Sequence, residues 1–311
     1  MEFGLMVEPQ LGGSYEELRA LALAAEKSGF SSFARSDHYL NGDESVPATD
    51  ALTSLAGLAR ETETIMLTVL VTPLTFRHPA VIAKTAITLD EMSGGRFELG
   101  IGTGWMEGEH RVFGIQLPEI RKRFSLLFET LAYIHAAMGR TEGGYTGRHH
   151  RLEDIEVLPR PISKLPIIIG GSGKKRTPSI AGRFADEYNV FATSRDDLTA
   201  RLAVMQKTAA DQGRDPNEIK VSVMSTAIIG EDEAEYREAL GAAASQRGID
   251  PEQLESQLAA RRVLHGTYEQ AAGIVDDYAA DGVGRIYIQQ FLPLGEIDSA
   301  GLERHLRGIR S

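Results

Sequence analysis

The chain has 311 residues, with 33 basic against 44 acidic residues for a formal net charge of -11, 42% hydrophobic residues and no cysteine. That is the make-up of an ordinary soluble globular protein, long enough for one large α/β domain or two medium ones. It excludes disulfides, thiolate metal sites, iron–sulfur clusters and a cysteine nucleophile, and the acidic balance argues against non-specific nucleic-acid binding.

Short β-like runs alternate with amphipathic helical stretches along the chain. Residues 3–7 read as a strand and 14–29 as a helix, with Ser14 and Glu17 placed for a capping box, Leu18, Leu21, Ala22 and Ala25 on one face, and Gly29 as the stop. The second unit pairs a strand at 31–35 with a helix at about 50–61, the third a strand at 65–71 with a helix at about 79–92. The fourth joins a strand at 97–101 to a long helix at 120–138, striped by Phe124, Leu127, Phe128, Leu131 and Ile134. Residues 143–158 interrupt the pattern and read as an inserted hairpin or loop after the fourth helix. Strands at 167–169, 187–191, 221–229 and 285–290 follow, with helices after each: one behind Gly170 to Gly173, one at about 195–212, a longer helical region ending near 281, and a short one near 302–309.

Eight strand–helix units imply a parallel sheet, and at this length they favour a closed (β/α)8 TIM barrel over an open doubly wound sheet. No linker or repeat divides the chain, so residues 1–311 are expected to form one barrel domain with the 143–158 insertion. The first residues lack a basic region followed by an apolar run, so no signal peptide is expected, and no apolar run is long enough to span a bilayer. A cytoplasmic, non-membrane protein is the expectation.

Active sites of such barrels lie at the C-terminal ends of the strands, which directs attention to the residues just after each one. Asp37-His38 follows the second strand; a pocket histidine can exchange a proton near neutral pH, and a neighbouring carboxylate can orient it or bind polar ligand edges. The bland alternative is a loop pair satisfying local backbone groups. Gly170-Gly171-Ser172-Gly173-Lys174-Lys175-Arg176 joins a strand to a helix; its glycines let backbone N–H groups approach a ligand, and three cations at a helix N-terminus oppose the macrodipole unless an anion sits among them. This favours phosphate binding over a merely solvated turn, although the spacing is not that of a Walker A loop. Gly100-Ile101-Gly102-Thr103-Gly104-Trp105 ends the fourth strand, where alternating glycines leave room for a flat ring and Trp105 can form a pocket wall; tight packing is the bland reading. Val69-Leu70-Val71-Thr72-Pro73 shows only a buried strand and turn. His149-His150 cannot pair on a metal from a strand, and no metal-ligand spacing or GxSxG occurs.

These stretches, taken in order, resemble the bacterial luciferase-like superfamily and within it the coenzyme F420-dependent oxidoreductases. The resemblance rests on Gly29-Phe30 through Ser36-Asp37-His38, Arg77-His78-Pro79-Ala80-Val81 with Ala83-Lys84, Thr88-Leu89-Asp90 through Ser93-Gly94-Gly95-Arg96-Phe97, the Gly100 to Trp105 run, Phe113-Gly114-Ile115, Ile169 to Gly173, Ala185-Asp186, Gly266-Thr267 and Gly282-Val283. It implies a luciferase-like barrel holding a deazaflavin or flavin ring. Asp37 would then contact the polar edge of the ring and His38 would face the reacting centre and act as the catalytic proton carrier. A non-proline cis peptide expected at Val69-Leu70 would support the rear of the ring. Thr103 and Gly104 would line the cofactor site and Trp105 the substrate pocket. Gly170, Gly171, Ser172 and Gly173 would cradle the cofactor phosphate, with Lys174 and Arg176, beside Lys175, meeting the phosphate or the acidic glutamyl tail. The sugar-phosphate dehydrogenases of the family carry Glu where Trp105 stands, which argues against glucose 6-phosphate as substrate; Glu107 and Glu109 are displaced along the chain, and the role is not carried to them.

The expected activity is hydride transfer between F420 and a small organic substrate stacked on it. The alternatives are a monooxygenase using reduced FMN, a non-catalytic flavin-binding barrel and, more distantly, a sugar-phosphate isomerase on an unrelated barrel. A homodimer is an expectation of the resemblance alone.

Overall fold

The computed structural model describes residues 1–42 and 44–310. Eight parallel strands close into a barrel: β1 (Glu2–Val7), β2 (Ser32–Arg35), β3 (Met66–Pro73), β4 (Phe97–Gly102), β7 (Ile167–Gly170), β8 (Glu187–Phe191), β9 (Lys220–Ser225) and β12 (Arg285–Gln290), in the ring order β1-β12-β9-β8-β7-β4-β3-β2. The expected TIM barrel is therefore present. Around it lie α1 (Tyr15–Lys27), α2 (Ala51–Glu61), α3 (Pro79–Ser93), α4 (Glu107–Val112), α5 (Ile120–Ala137), α6 (Arg176–Phe184), α7 (Arg195–Asp211), α8 (Glu233–Arg247), α9 (Pro251–Ala260), α10 (Tyr268–Ala280) and α11 (Ser299–Gly308). No helix among the described residues is long and apolar enough to cross a membrane.

Local chemistry accounts for the helix ends. Ser14 and Glu17 form the capping box of α1, with Ser14 Oγ accepting from the Glu17 N–H at 3.2 Å and Glu17 Oε2 accepting from the Ser14 N–H at 2.6 Å. Leu18, Leu21, Ala22 and Ala25 are its buried face. Most of the apolar core lies between the helices and the outer surface of the barrel, while Met6, Ala34, Leu70, Ile168, Met224 and Tyr287 form a separate cluster in the barrel interior. Since side chains alternate along a strand, Arg285 and Gln289 share the inward face of Tyr287, below and above it.

Three features depart from the expected elements. The run at 221–229 is not one strand: β9 ends at Ser225, and β10 (Ala227–Gly230) leaves the barrel to pair in parallel with β11 (Leu264–Thr267). Ser225 Oγ donates to the Thr226 carbonyl at 2.7 Å and accepts the Leu264 N–H at 3.1 Å, tying the two sheets at the break. The helical region that follows is three helices, with Gly248 at φ 64° ending α8 and Asp250-Pro251 starting α9. The inserted segment contains a hairpin of β5 (Tyr145–Thr146) and β6 (Arg151–Leu152) that packs on α5. Glu129 of α5 accepts the N–H groups of Arg148, His149 and His150 at 3.1, 2.8 and 3.2 Å, and these contacts pull its carboxyl below the usual range despite partial burial. Buried Asp90 of α3 likewise accepts the N–H groups of Ile162 and Ser163 at 2.7 and 3.0 Å. Glu129 thus straps the hairpin of the segment to α5, and Asp90 holds the chain just after it to α3.

Candidate active site

The loop after β2 is fixed by two arginines. Arg35, fully buried, donates to the Thr49 carbonyl at 2.7 Å, Thr49 Oγ1 at 2.8 Å, Ser54 Oγ at 2.6 Å and the Ser36 carbonyl at 3.0 Å; burial brings it down to about 10, against the pull of Asp37 and Asp50. Arg77, just after β3, pairs with Asp37 and Asp50 and donates to Tyr39 Oη at 2.9 Å and Thr72 Oγ1 at 3.0 Å. Burial raises Asp50, but the Thr53 N–H and Arg77 outweigh it and hold the carboxyl down at about 2. Asp37 is 1% exposed and turned to Arg77. The structure therefore places it in a buried ion cluster with Arg77, whereas the resemblance implies a contact with the ring's polar edge.

His38 emerges from this base half-buried. Its Nδ1 lies 2.9 Å from Oε1 of Glu109, whose other oxygen accepts the Tyr39 N–H at 3.1 Å; Glu109 itself is 1% exposed. Glu109 sits on α4, a short helix also tied down by its next residue. His110 Nδ1 donates to the Met106 carbonyl at 2.7 Å, which leaves Nε2 to accept from the Thr75 hydroxyl at 2.7 Å. Trp105 packs edge-on against His38, ring centres 5.5 Å apart, and is 67% exposed, so it stands as an open wall beside the imidazole. Thr103 and Gly104 form the turn between β4 and Trp105. Gly104 has φ 74°, a Cβ there would lie 3.2 Å from Pro73 Cβ, and its carbonyl accepts from Arg123 of α5.

Next to this turn β3 bulges. Val69 is opposite Leu99 and Thr72 opposite Ile101, so Leu70 and Val71 face Gly100 alone. The cis peptide joins Leu70 and Val71, one residue beyond the Val69-Leu70 position expected from the resemblance, because the register slips after Val69. A methyl on Gly100 would fall 2.1 Å from the Val69 carbonyl oxygen. Methyls on Gly102 and Gly170 would lie 2.8 and 3.1 Å from Val71. The glycine room expected for a flat ring is thus partly filled by the Val71 side chain, and a ligand would meet that side chain rather than bare strand.

On the next strand round the ring, Gly170 to Gly173 at the end of β7 lead into α6. Gly171 has φ 147°, and a Cβ on Gly173 would meet Thr177 Oγ1 at 2.5 Å. The first turn of α6 carries no acidic residue and no side-chain cap, so its N–H groups are left for a ligand or solvent. Lys174 reaches Asp197 of α7 at 2.8 Å, and Arg176 lies over the Phe124 ring at 5.5 Å. Neither expected phosphate ligand therefore points freely at the turn. Buried Arg201 of α7 donates to the Ser172 and Gly173 carbonyls at 2.8 and 3.1 Å from behind.

A last polar group closes the floor on the β1–β12 side. Buried Glu8 accepts from Gln289 at 2.5 Å and from Gln10 at 2.7 Å, and Ser36 donates to Gln10 at 2.6 Å. Glu109, Arg77 and Arg201 join the candidate site beside the residues expected from the sequence. Arg77 stands in the Arg77-His78-Pro79 stretch quoted for the resemblance and Glu109 was named there without a role; their partners, and Arg201 altogether, were not legible, because each contact joins residues distant in sequence.

Uncapped N–H groups and a glycine turn with no room for a Cβ at Gly173 suit a phosphate, while the bulge, the glycine wall and the His38–Trp105 corner suit a ring lying across the mouth. The family model for luciferase-like monooxygenases matches residues 1–300. An F420-dependent glucose-6-phosphate dehydrogenase of Microbacterium testaceum is 34% identical over 60% of this chain, and the chain spans 56% of that relative's length. Pyrimidine monooxygenase RutA of Allorhizobium ampelinum is 27% identical over 76% of this chain and 71% of its own. An F420-dependent secondary alcohol dehydrogenase, solved in complex with an F420-acetone adduct, superposes with a TM-score of 0.79 at 18% identity, covering 100% of this chain and 99% of the other.

Proposed function

The chain belongs to the luciferase-like monooxygenase family, and from that membership we propose that it is a coenzyme F420-dependent oxidoreductase moving a hydride between the deazaflavin and a small organic substrate stacked on it. The observation that carries the reading is His38 at the barrel mouth, its Nδ1 committed to buried Glu109 and its ring walled by Trp105, on the same barrel end as the uncapped glycine turn before α6. The curated relative with F420-dependent dehydrogenase activity supports the cofactor. F420, when bound, supplies the hydride chemistry.

The chain's own residues do the rest. The N–H groups from Gly171 to the start of α6 would hold the phosphate, and Arg176 adds positive charge at the same end, while Lys174 reaches it only by leaving its pair with Asp197. The β3 bulge at Leu70-Val71 supports the ring from behind, with Val69 in the strand before it and Thr103 and Gly104 at its flank. Asp37 fixes Arg77 and so the loop that carries His38. His38 gives or takes the proton coupled to hydride movement, and Trp105 walls the substrate side, where it replaces the Glu that sugar-phosphate dehydrogenases of the family resemble one another in carrying; we therefore propose a substrate other than glucose 6-phosphate.

The matching monooxygenase RutA favours a second reading, reduced-FMN-dependent oxygenation. Anaerobic assay with F420 and a panel of small oxidisable and reducible substrates tests the proposal. Turnover without oxygen is expected, with His38→Ala losing at least about 100-fold while still binding cofactor, in line with general acid–base contributions. Turnover that requires oxygen, or survives the substitution unchanged, would sink it.

A further inference from the structure

We propose that Glu109 decides which nitrogen of His38 carries the proton, so that the imidazole presents an unprotonated Nε2 to whatever occupies the mouth. An ionised carboxylate only accepts hydrogen bonds. With Glu109 Oε1 2.9 Å from Nδ1, the neutral ring must hold its hydrogen on Nδ1. Nε2 has no partner among the described residues, and the side chain keeps 16% exposure, so this is the nitrogen open to a ligand.

Glu109 cannot easily do otherwise. Its second oxygen accepts the Tyr39 N–H at 3.1 Å, so both oxygens are occupied by donors from the same loop. The helix beneath it is locked by His110, which bridges the Met106 carbonyl and the Thr75 hydroxyl. Two consecutive residues of α4 thus reach two different loops, one after β2 and one after β3. Glu109 is a positioning residue: it acts through His38 and touches no reacting group. The significance for proton transfer rests on the proposed oxidoreductase reading; the tautomer itself does not.

The geometry gives a sharp substitution. Glu109→Gln has one carbonyl oxygen for two donors. If that oxygen stays with the Tyr39 N–H, the amide NH2 faces Nδ1, which must then accept, and the imidazole hydrogen moves to Nε2. The test uses the full chain without cofactor, labelled with 15N-histidine, with His38 resonances assigned by their loss in His38→Ala. Long-range proton–nitrogen spectra are recorded above the imidazole titration range. Wild type should show His38 almost entirely as the Nδ1–H form. Glu109→Gln should drop that form below half, and Glu109→Asp should restore a majority of it. An Nε2–H majority in wild type, or a wild-type tautomer in Glu109→Gln, would overturn the proposal; unchanged spectra of the other histidines show that the variants are folded. Failure here leaves the cofactor reading intact, and failure to bind F420 leaves the tautomer result intact.

Discussion

In the barrel interior Arg285 serves three carboxylates. It contacts Glu98 at 2.8 and 3.0 Å, Glu2 at 2.8 Å and Glu187 at 3.2 Å. Burial, opposed by Arg285 and assisted by Glu98, pushes Glu187 up to about 7. The sign of the consequence follows from proton counting. Between the usual carboxylate range and 7 the folded chain keeps a proton that the unfolded chain releases, so this group lowers stability as pH rises through that window. Glu187→Gln, neutral at every pH, should gain roughly 1–3 kcal/mol at pH 8 and nothing at pH 4. Thermal unfolding at the two values measures it, and parallel curves for variant and wild type would refute the assignment; Arg285 retains Glu98 and Glu2 in either case. At this scale residue types were legible and partners were not. Asp37 and His38 stand after β2 as expected, but the carboxylate that orients His38 lies 71 positions on, beyond any local pattern. The glycines of β4 announced a close approach, yet only the folded barrel shows that the Val69 carbonyl makes it at Gly100 and the Val71 side chain at Gly102.

Among the elements, α7 carries the clearest untested role. The C=O and N–H of a trans peptide point in opposite directions. By drawing in the Ser172 and Gly173 carbonyls, Arg201 turns the N–H groups of Gly173 and Lys174 the other way, where a phosphate can meet them. Arg201→Met should weaken binding of the phosphate-bearing cofactor about 10- to 100-fold, the worth of hydrogen bonds involving a charged group. It should weaken the same chromophore lacking its phosphate far less. Equal losses for both ligands, measured by fluorescence titration, would deny the link to the phosphate. The helix itself was readable at about 195–212 from the sequence and spans Arg195–Asp211. The six-residue α4 was not: Glu107, Glu109, His110 and Arg111 show no apolar period, and contacts to two other loops hold it in place. The split between β9 and β10 was hidden for a related reason, since both halves are apolar β-formers and only the pairing of β10 with β11 tells them apart.

For the whole molecule, the repetition of strand and helix was enough to anticipate closure, because eight parallel units of this length bury both sheet faces best as a ring. It could not place the insertion. Residues 143–158 have no local partner legible in the sequence; in the fold Glu129 captures the hairpin turn against α5. The result is a barrel charged below, apolar at mid-height and, at the mouth, divided between a glycine wall, a polar Glu8–Gln289 floor and the His38 corner. That division is the basis for proposing a ring across the mouth with its phosphate at α6. Titration of the purified cofactor-free protein with F420 and, separately, with FMN, each followed by its own fluorescence, tests this most directly. Saturable F420 binding at least about tenfold tighter than FMN is expected. Preference for FMN would contradict it in favour of oxygen-dependent chemistry, and binding of neither would remove the cofactor assignment altogether.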